Sequence, residues 1–239
     1  ASDSEPAFLL LHFMEPHLEY DPPEATRYAF RDRDIEPPLA VPFESREVMV
    51  SYIEEREIPT PAQQAWIQQA YDEELLGVDL ALAGLWERLG ALDRPESWQV
   101  ITSDHGEEFW DHGGFEHGHS LNRELVRVPL VVKGPGVSAA RYPQTVSHVD
   151  VFATLAGISG QARPEASHGL DLRPAMAGST PLPPGRAVLQ ENCHYGQECA
   201  AVVRDNQRLV LRLETPNASL WRLDAQGLEQ PWDDPEARD

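Results

Sequence analysis

Residues 103–120, SDHGEEFWDHGGFEHGHS, hold four of the chain's nine histidines together with two aspartates and three glutamates. Side chains of these types hold cations, bind anions and move protons, so the spacing decides between a site and a polar loop. Asp104 and His105 are adjacent and are followed by Gly106, which relaxes the backbone for a turn. On such a turn both side chains can face one cation, Asp104 through oxygen and His105 through nitrogen. Two donors fall short of the roughly four to eight that a divalent ion takes. The spacing is not that of a structural zinc site, and no cysteine lies near. His117 and His119 precede what reads as a helix start at Ser120, and a helix N-terminus beside histidines suits an oxyanion. The competing reading is a Gly-rich polar loop whose histidines face solvent or support their neighbours. His112, between Asp111 and Gly113, reads as exposed.

A second polar cluster follows the apolar run AFLLLHF, residues 7–13, which reads as a strand buried on both faces. His12 lies within the run and reads as a hydrogen-bonded core histidine. His17 follows Pro16 in an irregular Pro-rich loop just past the strand end. Ligands in an open α/β sheet gather beyond the carboxyl ends of the strands. If the strand ending at His12 and the strand ending before Asp104 are parallel, both clusters open on one edge. His148, His168 and His194 read as structural. Cys193 and Cys199 form either one local disulfide or two free thiols, and neither has the Pro-x-Arg context of a nucleophile.

The elements that would position these groups alternate in type. Residues 21–60 are charged and Pro-rich, with a short helix expected at 44–55. Thr60-Pro61 is a helix start, and Trp66, Ile67, Ala70, Tyr71, Leu75, Val78, Leu82, Leu85 and Leu89 then recur at helical spacing up to Gly90. A second strand is expected at 97–102, a short helix at 120–127, a third buried strand at 128–134 and a helix at 148–160. Strand, helix, strand, helix, strand is the pattern of an α/β sheet with right-handed crossovers. After about residue 180, short strands separated by Asp205-Asn206 and Pro216-Asn217 read as a small antiparallel sheet.

The chain has 239 residues, of which 41% are hydrophobic, enough for a real core, and no apolar run long enough to span a bilayer as a helix. A formal charge of −21, spread along the sequence, argues against nucleic acid, which needs a basic face. An anionic substrate would need local positive charge, such as a metal ion, to offset that field. The chain opens ASDSEPAFLLLHF, without a basic region or a long apolar core of a leader, and reads as cut from something longer.

The segment WQVITSDHGEEFWDHGGFEHGHSLNRELVRVPLVVKGPGV strongly resembles the metal-site segment of the sulfatase family, in the alkaline-phosphatase superfamily. FLLLHFMEPHLEYDPP, YDEELLGVDLALAGLWERLG, VSHVDVFATLAGISG, HGLDLRPAMAG and ASLWRLDAQGLEQ resemble further family segments, in the family's order. The resemblance implies an α/β alkaline-phosphatase-like sandwich with a mostly parallel central sheet and a small C-terminal antiparallel sheet. Residues 1–180 would be part of the catalytic domain and 181–239 an antiparallel subdomain of it. It implies that Asp104 and His105 ligate a divalent cation, calcium in many sulfatases, with Mn2+ or Zn2+ as alternatives. His17 would contact the transferred anionic group. His117 would stabilise the ester or protonate the leaving oxygen, with His119 as second choice. The substrate would be a small-molecule or glycan sulfate ester, and the setting periplasmic or extracellular. Many sulfatases carry Asn where His105 stands, and His at that place also occurs in phosphonate and phosphodiester hydrolases. The family's upstream aspartate pair and its formylglycine motif, C-x-P-S-R or S-x-P-S-R, do not occur in these residues. The expected protein is a sulfatase part that needs an N-terminal half for a complete site. A non-catalytic half-domain that acts as a binding module is the rival reading.

Overall fold

The computed structural model describes residues 7–33, 59–88, 90, 94–191, 193–194, 198–213, 217–224 and 228–232. The chain divides into two compact units, Ala1–Asp93 and Arg94–Asp239. The helix expected at 44–55 lies outside the described residues.

The first unit is organised by α1, Pro61–Arg88. Thr60 opens it with a reciprocal cap: Gln63 Oε1 accepts the Thr60 N–H at 2.8 Å, and Thr60 Oγ1 accepts the Gln63 N–H at 3.4 Å. Helical periodicity places Trp66, Ile67, Ala70, Glu73 and Glu74 on one buried stripe. Against that stripe the segment 15–33 packs Tyr20, Thr26 and Arg31, with the Tyr20 ring edge-on to Tyr71 at 5.6 Å. The approach is close at Gly77, where a Cβ would stand 3.0 Å from Pro23 Cγ. Leu75, Leu80 and Trp86, further along α1, remain exposed.

Residues 7–13 depart from the expected buried strand. They form no ladder among the described residues, and Phe8 and Leu10 are 75% and 76% exposed. A strand covered on both faces needs neighbours on both edges and a layer on each side, and among the described residues the run has neither. His12 is correspondingly exposed and is not a core histidine.

The second unit opens with β1, Gln99–Thr102, which pairs antiparallel with β4, Leu130–Lys133. Between them lie a small hairpin, β2 (Glu108–Phe109) with β3 (Phe115–Glu116), and the single turn α2, Arg123–Val126. The connection thus holds a hairpin and one helical turn in place of a crossover helix, and the described residues contain no parallel pairing. The expected third strand is not buried on both faces: β4 alternates half-buried and exposed positions, with Val131 56% exposed. Its inner side, Leu130 and Val132, shares a small cavity with Val100, Val151, Thr154 and Leu172.

Helix α3, His148–Ile158, starts in a capping box of Ser147 and Asp150 and ends before Gly160, whose φ of 68° suits glycine. Asp150 is wholly buried: it accepts N–H groups of Ser147 and Leu170 and both terminal nitrogens of Arg186, at 2.6–2.8 Å. That node ties α3 to the loop before α4, Arg173–Met176, and to β5, Ala187–Glu191. The chain closes in a five-stranded antiparallel meander, β5 with β6 (Cys199–Arg204), β7 (Gln207–Arg212), β8 (Asn217–Leu223) and β9 (Glu229–Pro231). The expected turn at Asp205-Asn206 joins β6 to β7 with Asp205 at φ 52°. Leu121, Cys199 and Ala201 form a small core beneath the meander, and Cys193 is bonded to Cys199 as a disulfide, which leaves neither cysteine a thiol. Among the described residues no helix is long and apolar enough to cross a membrane.

Candidate active site

Asp104 and His105 follow β1 directly, on a turn fixed by hydrogen bonds. Ser103 Oγ donates to His105 O at 2.6 Å, and the Gly106 N–H donates to Leu125 O at 2.8 Å. A Cβ at Gly106 would stand 1.9 Å from Glu124 O, so the backbones meet only because this residue is glycine. His148, on the first turn of α3, donates from Nε2 to Ser103 O at 2.9 Å and so braces the same turn.

The orientation of His105 is set by its neighbour. Nδ1 donates to Gly106 O at 2.9 Å. A carbonyl oxygen only accepts, so Nδ1 carries the hydrogen, and in the neutral ring Nε2 keeps its lone pair. That nitrogen lies 3.8 Å from Asp104 Oδ2. One imidazole nitrogen and one carboxylate oxygen suit a divalent cation in kind, although not in number. Among the described residues no group of three or more His, Cys, Asp or Glu converges, so these two side chains alone do not make a metal site.

The hairpin that follows adds two carboxylate–imidazole pairs. His117 stacks on His105, with ring centroids 3.9 Å apart and planes at 26°, and its Nδ1 donates to Glu107 Oε1 at 2.9 Å. Burial opposes protonation of His117, yet the bond it donates to Glu107, with Glu116 and Asp104 near, raises its pKa above the usual imidazole value. His119 turns the other way and donates from Nε2 to Glu108 Oε2 at 3.0 Å. Glu108 is fully buried and also accepts from His112 N, Gly114 N and Asn122 Nδ2. Burial would push its carboxyl up, but these four donors, His119 first, hold it at about 2.

Asp104, His105, His117 and His119 thus all belong to one loop-and-hairpin segment of the second unit. His17 belongs to the first unit, where it is exposed and donates from Nδ1 to Leu18 O at 2.6 Å. His112 is exposed as expected, with Nδ1 3.1 Å from Glu124 Oε1. The helix expected at Ser120 begins only after Asn122 and is a single turn, which removes the helix N-terminus from beside His117 and His119. Glu107 and Glu108 are the members that reading by residue type misses. The Gly113-Gly114 pair between Phe109-Trp110 and Phe115 is the hairpin signal that could have found them.

Comparison with known proteins points one way. The Sulfatase family profile matches residues 1–161, more than half of the chain. Arylsulfatase K of Mus musculus is 35% identical over 82 residues, 34% of this chain and 15% of the mouse protein. The phosphonate monoester hydrolase of Silicibacter pomeroyi superposes with a TM-score of 0.63 at 19% identity, covering 77% of this chain and 40% of that one. BT4656, solved with its substrate D-glucosamine-2-N,6-O-disulfate, superposes with a TM-score of 0.57 at 18% identity over the same shares. The chain therefore spans less than half the length of the relatives it matches. The structural likenesses give the fold, an alkaline-phosphatase-like α/β arrangement with a C-terminal antiparallel sheet. With the profile spanning β1, the Asp104-His105 turn, the hairpin and α3, this chain belongs to the sulfatase family.

Proposed function

We propose that this chain supplies one side of the active site of a sulfate-ester hydrolase, whose substrates are small-molecule or glycan esters. The observation that carries the reading is the orientation of His105. Its Nδ1 is spent on a backbone carbonyl, which turns Nε2 toward Asp104 at 3.8 Å, as a ligand histidine is turned. Asp104 and His105 then provide two ligands of a divalent cation, calcium in the first instance, and the remaining ligands come from outside these 239 residues. The resemblance to the sulfatase family implies such a metal, which would supply the local positive charge an anionic ester needs on this acidic chain. His117, held on Glu107 and kept readily protonated, stabilises the ester or gives the leaving oxygen its proton. His119, tied to a buried carboxylate with three other donors, supports the hairpin and is the weaker candidate. His17 contacts the transferred group. The nucleophile, a formylglycine, lies outside the chain, because no C-x-P-S-R or S-x-P-S-R occurs in it.

The purified 239-residue chain accordingly has no aryl sulfatase turnover and binds divalent metal weakly; measurable hydrolysis of an aryl sulfate by it sinks the reading. The coding sequence immediately upstream is expected to continue in frame into a C-x-P-S-R or S-x-P-S-R segment. A stop codon followed by an independent start would instead favour a non-catalytic module. A second enzyme reading, hydrolysis of a phosphodiester or phosphonate, is favoured by the histidine at 105 and by the likeness to a phosphonate monoester hydrolase. Parallel assays of an aryl sulfate and an aryl phosphodiester on the full-length protein separate the two.

A further inference from the structure

Among its described residues the first unit buries two adjacent carboxylates, Glu73 and Glu74, and one guanidinium, that of Arg31. Glu73 and Glu74 are 0% and 3% exposed, and both face the segment 15–33. Glu73 takes the Arg31 guanidinium. Its Oε2 accepts from Arg31 Nε and Nη2 at 2.9 and 2.6 Å, and its Oε1 accepts the N–H groups of Phe30 and Arg31. Arg31 is itself buried, 4.4 Å above the Trp66 ring. Glu74 receives one bond, from the Asp21 N–H to Oε1 at 2.6 Å, while its Oε2 is buried and meets no donor. A carboxylate anion wants donors on both oxygens, whereas a carboxylic acid leaves one oxygen with a hydrogen of its own. The charges that face Glu74 add to the mismatch: Glu15 and Asp21 repel an anion there, and the guanidinium of Arg31 is already committed to Glu73. On α1 itself Glu73 is its neighbour, with Asp72 one place further.

We propose that Glu74 is a pH-operated latch: its carboxyl is neutral while segment 15–33 is clamped on α1, and its ionisation loosens the clamp. The latch goes beyond the catalytic reading and does not depend on it. Burial, with the acidic neighbours, pushes the Glu74 pKa up from the ordinary 4.5 to about 7, which puts the change near neutral pH. The folded value lies above the unfolded one. The stabilisation is therefore fully present below about 4.5 and is lost as pH rises through about 7. Within that window the folding equilibrium of the clamp changes by up to about tenfold per pH unit.

The test compares the unmutated chain with Glu74→Gln by denaturant unfolding from pH 5 to 9, and follows exchange of the Asp21 amide. The stability of the unmutated chain relative to Glu74→Gln is expected to fall as pH rises from 5 to about 7 and to level off above it, and the Asp21 amide to lose protection over the same interval only where Glu74 is present. Parallel pH profiles for the two proteins, or an Asp21 amide equally protected at pH 5.5 and 8.5, overturn the latch. Should the Gln variant fail to fold, 13C-carboxyl titration of glutamates in the unmutated chain decides. A buried glutamate with a midpoint near 7 supports the latch, and ordinary midpoints for all of them overturn it.

Discussion

Two Glu-Glu pairs, 73–74 on α1 and 107–108 at the hairpin, meet opposite fates in the same chain. At the hairpin each carboxylate has a histidine: Glu107 holds His117 and Glu108 holds His119. On the helix one guanidinium serves two carboxylates, and Glu73 takes it. Glu74 and Glu108 are about equally hidden from solvent, yet one sits at about 7 and the other at about 2. Burial pushes both up, and the difference comes from donors, one bond to Glu74 against four to Glu108, and from the acidic Glu15 and Asp21 that face Glu74. What burial does to a carboxylate is thus decided by the groups buried with it.

Emptying the helix pair of its anion breaks the comparison most severely. Glu73→Ala leaves the Arg31 guanidinium, 3% exposed as a residue, without its counter-charge and strands the N–H groups of Phe30 and Arg31. The expected loss is about 3–5 kcal/mol at neutral pH, read by denaturant unfolding of the first unit. An unchanged midpoint would mean that segment 15–33 is held by Tyr20 and Trp66 alone. Glu108→Gln comes next, at about 3 kcal/mol, because an amide cannot accept from all four donors. This loss has a pH signature. The folded pKa is depressed, so the stabilisation by Glu108 is present above the ordinary 4.5 and disappears as pH falls toward 2. The unmutated second unit should weaken across that interval and the Gln variant should not, the reverse of the slope expected from Glu74.

Local pattern made one part of this legible and not the other. Trp66, Ile67 and Ala70 announced α1 by their spacing, and Thr60-Pro61 announced its start. The helix expected at 148–160 is α3, and the Asp104-His105 turn falls just after β1, as read. These signals are carried by residues three or four apart. The partners that decide Glu73 are 42 residues away at Arg31, and a glutamate on a helix with no visible partner reads as solvated. The hairpin strands are two residues each, too short for an alternating pattern to show. The run 7–13 failed for the opposite reason: its composition is that of a buried strand, but burial depends on edges and layers that composition does not supply. Within the candidate site, Asp104, His105, His117 and His119 could be named from residue type, whereas the carboxylates that orient two of them could not.

Gly114→Ala tests how rigid the hairpin pair is. An added Cβ would stand 2.2 Å from His119 Nε2 and 3.0 Å from Glu108 Oε1. Either the imidazole swings away and its bond to Glu108 is lost, or the turn opens. A cost of about 2 kcal/mol is expected, with the acid limb of the stability profile moving to higher pH. A neutral result would show that His119 can leave Glu108 freely, and would return it to consideration as a group that serves substrate.

Asn122→Ala removes the longest of the four bonds, from an amide 3.2 Å from Glu108 Oε2. It leaves His119 on the same oxygen and both backbone N–H groups on the other, so the carboxylate stays paired. The expected cost is about 1 kcal/mol, measured by urea unfolding, with a small upward move of the Glu108 titration midpoint in a 13C-carboxyl experiment. The reasoning is incremental. If donors set the ionisation of a buried carboxylate, taking them away singly should walk Glu108 from its present value toward the state of Glu74. Asn122→Ala is the first step and Gly114→Ala the second. A Glu108 midpoint that stays fixed through both would show that the number of donors does not set the ionisation of this carboxylate.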